Sequence, residues 1–344
     1  MLNRYWVRGA SRADRERAVS ELPLPPLLAS VDAHRRLRGP YSAAGALMRA
    51  IFPDLSTRHP ELVERHNIEL LTTAPELTGQ VPNPWHSLEW TVAESERTRF
   101  YSRLHTRSLA NGIAELLREY LRSVGPRALV IDNAQDADPA DQEFIAVLLR
   151  RTDLGQLTVV VGSNTATLLD PLGEIDLSLA DTLAEHATII EAAVGPVTVT
   201  DSAVVDAARA FVDSDCTSDD PALKAAYLSL PGTDREALHD RRRDELVTRG
   251  ELSLELGAIP YHAEHGSDPT GAGVTALLHA LNHCHNIGLY QAAVDYGLRG
   301  RALTNPADSP EPWWHFTKTG SISMASLGRA EEAEALYCDA QATT

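Results

Sequence analysis

The chain has 344 residues and a formal net charge of −17, with 43% hydrophobic and 23% charged residues. That length exceeds one ordinary hydrophobic core and predicts roughly two or three domains. No apolar run approaches the roughly eighteen residues of a membrane span, and the acidic balance opposes direct nucleic-acid contact by this segment.

Arg4 to Arg8 (RYWVR) reads as a first strand, followed by Gly9 and a helix-like stretch through Val19. Leu27 to Val31 (LLASV) is a second strand. From Gly39 to Phe52, Ala44, Leu47, Met48 and Ile51 recur at helical spacing and predict a helix. Residues 53–92 are Pro-rich and irregular, with short helices over 60–71. Glu94 to Val124 reads as one long helix whose apolar stripe includes Phe100, Leu104, Leu109, Ile113, Leu116, Leu117 and Tyr120. Gly125-Pro126 stops it. Ala128 to Ile131 form a short apolar run ending in Asp132, and Asp138-Pro139 then open an amphipathic helix reaching Arg151. Leu157 to Val161 (LTVVV) reads as a buried strand, and Thr188 to Ile190 as one more short strand. Strands alternating with helices predict a parallel sheet covered on both faces.

Near residue 195 the pattern becomes helical, with candidates at 201–213, 221–229, 233–249, 251–265, 270–286, 289–303, 310–326 and 329–341. The tail carries a repeat signal. Gly288, Tyr290, Ala293 and Leu303 sit where tetratricopeptide-like helix pairs keep small and aromatic packing residues, and Gly328, Ala333, Tyr337 and Ala340 recur in the same order. The two glycines are 40 positions apart, somewhat more than the roughly 34 of the standard repeat. The last residues run on without a helix stop, as if the chain were cut inside a longer array.

The segment RALVIDNAQDADPADQEFIAVLLRR, from Arg127 to Arg151, is the most informative. A buried strand that delivers a carboxylate at its C-terminal end, followed by a helix, is how P-loop NTPases place the acid that holds Mg²⁺. In detail the segment resembles the Walker B region of STAND-type ATPases, the signalling NTPases of the maltose-activator and large LuxR-type regulators. GPYSAAGALMRAIF resembles the helix after their second strand, and ERTRFYSRLHTRSLANGIAELLREYL the helix before their Walker B strand. LHDRRRDELVTRGELSLELGAIPYHAEHGSDP resembles the helical segment that joins the ATPase to the repeats. The resemblance implies an α/β P-loop NTPase-like domain with a parallel sheet over 1–195. An all-α region follows, with a helical linker or lid domain over 196–268 and tetratricopeptide-like repeats over 269–344. It also implies ATP or ADP with Mg²⁺ as ligand, and regulators of this type often carry a DNA-binding domain after the repeats.

A working P-loop needs glycines whose backbone N–H groups face phosphate, a Lys for the β and γ phosphates, and a Ser or Thr for Mg²⁺. The matching stretch is GASRADRE, from Gly9 to Glu16. Gly9 fits the first glycine, but Asp14 stands at the second, Arg15 at the Lys and Glu16 at the Ser or Thr. Arg15 remains a phosphate ligand by charge, although as a planar fork rather than a point charge. Asp132 fits the Mg²⁺ acid. Asn133 takes the place of a carboxylate that polarises water in many ATPases, and an amide is no base at pH 7. The resemblance implies a sensor at the end of LTVVVGSNTA, where Asn164 is a polar candidate but the family's basic residue is absent. The candidate nucleotide-binding residues are therefore Gly9, Arg15, Asp132, Asn133 and Asn164, with Asp132 as the metal ligand.

Other constellations read more plainly. His279 and His283 share a helix face and with His262, His265 and Asp268 have zinc-ligand chemistry, but the pattern reads first as a polar helix face and a loop. Trp313 and Trp314 read as packing at a helix start, and Trp85 and Trp90 lie in a Pro-containing connection. Ser11, Ser87 and Ser163 lack a nucleophile elbow, and Cys338 lacks a cationic neighbourhood. The sparse odd set Cys216, Cys284 and Cys338 argues for a reducing cytoplasm.

The expected function is a regulatory or scaffolding protein with a degenerate ATPase-like module and helices that bind a protein or peptide, not an efficient ATPase. Self-association into a homo-oligomer stays open. Two alternatives are an ATPase with an atypical P-loop and a nucleotide-independent accessory protein of a biosynthetic complex.

Overall fold

The computed structural model describes residues 4–82, 102–151, 153–164, 168, 178–195 and 203–343. Trp85, Ser87, Trp90 and the start of the helix expected from Glu94 lie outside them. The chain divides into two compact units. One comprises Met1–Arg35, Pro40–Thr98 and Thr106–Thr198, and the other Arg36–Gly39, Arg99–His105 and Val199–Thr344.

The first unit is an α/β domain built on a five-stranded sheet in the order β2-β3-β4-β1-β5. The strands are β1 (Arg4–Arg8), β2 (Leu27–Asp32), β3 (Arg127–Asp132), β4 (Leu157–Ser163) and β5 (Thr188–Glu191), and every pairing is parallel. All seven residues of β4 are buried, which is why its sequence is a continuous β-branched run rather than an alternation. The helices of this part of the chain are α1 (Arg12–Ser20), the single turn α2 (Arg35–Arg38), α3 (Ser42–Arg58), α4 (Pro60–Arg65), α5 (Asn67–Thr73), α6 (Ser102–Val124), α7 (Pro139–Arg150) and α8 (Leu179–His186). The α6 stripe is buried at Leu109, Ile113, Leu116, Leu117 and Tyr120, as its spacing predicts. Asp138 caps α7 by accepting from the Ala140 N–H at 2.8 Å, and Pro139 starts the helix.

Helix α3 outruns the expectation. It continues through Pro53 to Arg58, because buried Phe52 and Leu55 carry the packing past the one hydrogen bond that proline cannot make. Its N-terminus has no local cap: Tyr41 precedes it at φ 59° with no capping side chain. Asp141 of α7 supplies the cap from a distance, accepting from the N–H groups of Ala43 at 2.8 Å and Ala44 at 3.0 Å. A fully buried carboxylate thus satisfies two otherwise orphaned donors and meets the positive end of the helix dipole.

The second unit is helical: α9 (Val204–Asp213), α10 (Pro221–Ser229), α11 (Gly232–Val247), α12 (Leu252–Glu255), α13 (Ala258–His265), a π turn over Pro269–Gly273, then α14 (Val274–Asn286), α15 (Tyr290–Leu303), α16 (Pro310–Ser326) and α17 (Ala330–Thr343). The helix expected over 251–265 is broken at Gly257. A Cβ there would lie 2.4 Å from the backbone nitrogen of Arg38, so glycine admits another backbone at the cost of helix continuity. The turns after α14 and α16 each place a glycine in the left-handed region, Gly288 at φ 80° and Gly328 at φ 82°. Helices α15 and α16 approach closely where Gly297 faces Gly320 and where Gly300 lies under the ring of Phe316.

Candidate functional site

The carboxyl ends of β1, β3 and β4 converge, and ligands of open parallel sheets bind at such ends where the connections diverge. Here β1 leads to β2 on one side, while its neighbour β4 leads to β5 on the other. Gly9 follows β1 and donates its N–H to the Ser163 carbonyl at 3.1 Å. The Trp6 indole N–H also ties these strands together, donating to the Ser163 hydroxyl at 2.8 Å.

Arg15, one turn into α1, points back across these ends and is only 2% exposed. Its Nε donates to Asp132 Oδ1 at 2.6 Å and its NH2 to Asp132 Oδ2 at 2.9 Å. NH1 donates to the Gly9 carbonyl at 3.0 Å, and NH2 also donates to Asn133 Oδ1 at 2.8 Å. Asn133, at φ 57°, uses the left-handed region that a short amide side chain tolerates, and its Nδ2 donates to Asp32 Oδ2 at 2.8 Å. Asp32 also receives Arg12 NH1 at 3.1 Å, while Arg12 Nε donates to Glu16 at 2.8 Å and holds its own guanidinium more basic than usual.

The structure therefore joins Gly9, Arg15, Asp132 and Asn133 in one bonded network. Asn164 lies just past β4, with its backbone N–H donating to Gln135 Oε1 at 3.0 Å. Asp32 and Arg12 complete the network and were not singled out in the sequence. The available signal was that β2, like β3, ends in aspartate, and the two are paired in register.

The start of α1 is also closed. Ser11 is its N-cap: the Asp14 N–H donates to Ser11 Oγ at 3.1 Å, and the Ser11 hydroxyl donates to Asp14 Oδ2 at 2.7 Å. Asp14 Oδ1 accepts from the Gly195 N–H at 2.8 Å and from Arg17 at 3.1 Å. The Ser11 hydroxyl and the Gly195 N–H hold the Asp14 carboxyl below its usual range. A phosphate cradle needs inward-facing N–H groups and a carboxylate open to Mg²⁺. Here a carboxylate occupies the helix start and both Asp132 oxygens carry Arg15, so the residues present do not fit a Mg²⁺-nucleotide.

A second buried polar chain lies in the helical unit. Its histidines are fully buried: His239 Nδ1 is 2.8 Å from His262 Nδ1, and His262 Nε2 is 3.2 Å from Asp215 Oδ1. The proton order follows from the partners. His262 donates from Nε2 to Asp215, so its Nδ1 accepts from His239 Nδ1–H, and His239 Nε2 accepts from the Tyr227 hydroxyl at 2.9 Å. Arg242 Nε completes the chain at 2.7 Å from Asp215 Oδ1. Burial, reinforced by His262 and His265, pushes the His239 pKa down to about 3. Asp215 and Cys216 hold left-handed φ values of 54° and 56°, and burial raises the Cys216 thiol to about 11. Of the other zinc candidates, His265 Nδ1 lies 2.8 Å from the Tyr261 carbonyl with its ring 4.3 Å from that of Tyr261, His279 meets Glu255 at 2.9 Å, and Asp268 caps the π turn. Among the described residues, no group of three or more His, Cys, Asp or Glu side chains is placed to hold a metal ion. No helix among them is long and apolar enough to cross a membrane.

Comparison of the chain with protein-family models, with curated proteins and with solved structures gives no match.

Proposed function

We propose that this chain is a regulatory or scaffolding protein in which a degenerate STAND-ATPase-like α/β module accompanies tetratricopeptide-like helices that bind a protein or peptide. The observation that carries the reading is the Arg15 guanidinium on both oxygens of Asp132. Where a P-loop lysine would reach for phosphate, this arginine turns inward and neutralises the acid that would hold Mg²⁺. For the helical half, support comes from the two hairpins of α14–α15 and α16–α17, each turning on a left-handed glycine. Stacked helical hairpins present extended surfaces suited to protein or peptide partners.

The competing ATPase reading assigns Arg15 to phosphate and Asp132 to Mg²⁺. It requires the pair to separate and Arg15 to leave a buried position, and breaking a buried ion pair costs about 3–5 kcal/mol. Titration calorimetry with Mg²⁺-ATP and Mg²⁺-ADP decides between them. The scaffold reading expects no binding heat and no thermal shift at millimolar nucleotide. Micromolar binding that disappears in Asp132→Ala would overturn it in favour of a live nucleotide site.

A further inference from the structure

Helix α1 is an unusual cover for a sheet: the residues it buries are Asp14 and Arg15. Apart from Ala13 and Ala18 its apolar side chain is Val19, which stands at its end, ahead of Leu22, Leu24 and Pro26 in the connection to β2. Ser30 of β2 and Val130 of β3 are partners in register. Ser30 is exposed and Val130 only half-buried, although β3 has a strand on each side and such positions are normally covered. Between helix end, connection and sheet lies an open cleft of about 670 Å³, lined by Val19, Leu22, Leu24, Pro26, Leu27 and Val130. That volume falls within the ~300–1,000 Å³ of small-molecule sites, which are mostly apolar with a few polar groups.

The polar end of the cleft is formed by Arg12, Arg15, Glu16 and Asp132. Both cations are already held, Arg15 by Asp132 and Arg12 by Glu16. An ionic ligand would have to compete with these pairs, whereas an uncharged one would not. Asp132 keeps 14% side-chain exposure, and each carboxylate oxygen has capacity for a second donor. We propose that this cleft binds a small, uncharged, largely hydrocarbon molecule carrying one O–H or N–H donor, with the carbon skeleton on the Val19–Val130 wall and the donor on Asp132. The site depends neither on nucleotide nor on a partner for the helical unit, so it stands or falls separately from the scaffold reading.

The test uses N-phenyl-1-naphthylamine, an uncharged probe with one N–H, titrated into the whole protein and followed by fluorescence. Its anionic relative 1-anilinonaphthalene-8-sulfonate is titrated alongside. The expected result is saturable binding of the neutral probe at one site, about tenfold tighter than the sulfonate. Ser30→Trp, which fills the cleft from an exposed strand position, should weaken the neutral probe about tenfold or more with the thermal midpoint retained. Leu228→Glu, at an exposed apolar position of the helical unit, should leave binding unchanged. Should Ser30→Trp fail to fold, Val19→Glu at the end of α1 serves the same purpose. Non-saturable binding, equal affinity for the sulfonate, or undiminished affinity in the cleft variant would each overturn the proposal.

Discussion

Arg15 and Asp132 lie 117 positions apart and meet through two parallel hydrogen bonds, Nε to Oδ1 at 2.6 Å and NH2 to Oδ2 at 2.9 Å. This fork-on-fork geometry is the strong form of the arginine–carboxylate contact. It also joins the ends of β1 and β3, because Arg15 binds the Gly9 carbonyl as well.

Removing one partner of this pair strands a charge in a mostly buried place. Asp132→Ala is expected to lower stability by about 3–5 kcal/mol, read from urea unfolding. The double change Arg15→Met with Asp132→Leu should cost clearly less than the sum of the single changes, since no charge is left uncompensated. Additive losses would show that the two side chains do not act as a pair.

Acid should weaken the helical unit through His239. Its native pKa lies near 3, below the ~6.5 of an unfolded histidine. Between these values the unfolded chain binds the extra proton, so the stability this group contributes is complete above about pH 6.5 and is lost as pH falls towards 3. The expected slope is up to about 1.4 kcal/mol per pH unit. His239→Gln should show a shallower dependence between pH 6.5 and 4 in urea unfolding. The assignment fails if the variant keeps the wild-type slope.

Asp141 caps α3 from another helix, so its loss should be felt at Ala43 and Ala44. Asp141→Ala leaves two buried N–H groups without acceptors and is expected to cost about 2–4 kcal/mol. Asp141→Asn retains one acceptor oxygen and should cost less. Hydrogen exchange at the first turn of α3 reports the effect directly, and unchanged protection in Asp141→Ala would rule the cap out.

Gly300→Ala tests the α15–α16 crossing. Alanine ordinarily favours a helix interior over glycine by about 0.5–1 kcal/mol. Here the added Cβ would lie 2.2 Å from the Phe316 ring, so a net loss of about 1–3 kcal/mol is expected. A raised melting temperature would mean the helices part freely at this point.

The elements were legible where periodicity carried them. The apolar runs at Arg4, Leu27, Ala128, Leu157 and Thr188 all became parallel strands, and the stripe from Leu109 to Tyr120 became the buried face of α6. Boundaries were less so. Pro53 marked an end to α3 that tertiary packing overrode, and Gly257 broke a helix because Arg38 passes beside it.

Residue types in the candidate site were also legible: Gly9 follows β1, Asp132 and Asn133 stand at the end of β3, and Arg15 lies in the helix after β1. What those groups do to one another was not. A local pattern states which charges a segment offers, but the partner of a charge is chosen by distance in space. Only the folded chain brings Arg15 onto Asp132, Asp32 onto Asn133, Asp141 onto the start of α3, and His262 between His239 and Asp215. By itself the sequence determined an α/β unit followed by helices, since hydrophobic spacing acts within each element. The tertiary structure decided that Arg15 faces inward, since a buried guanidinium needs a carboxylate and Asp132 lies within its reach.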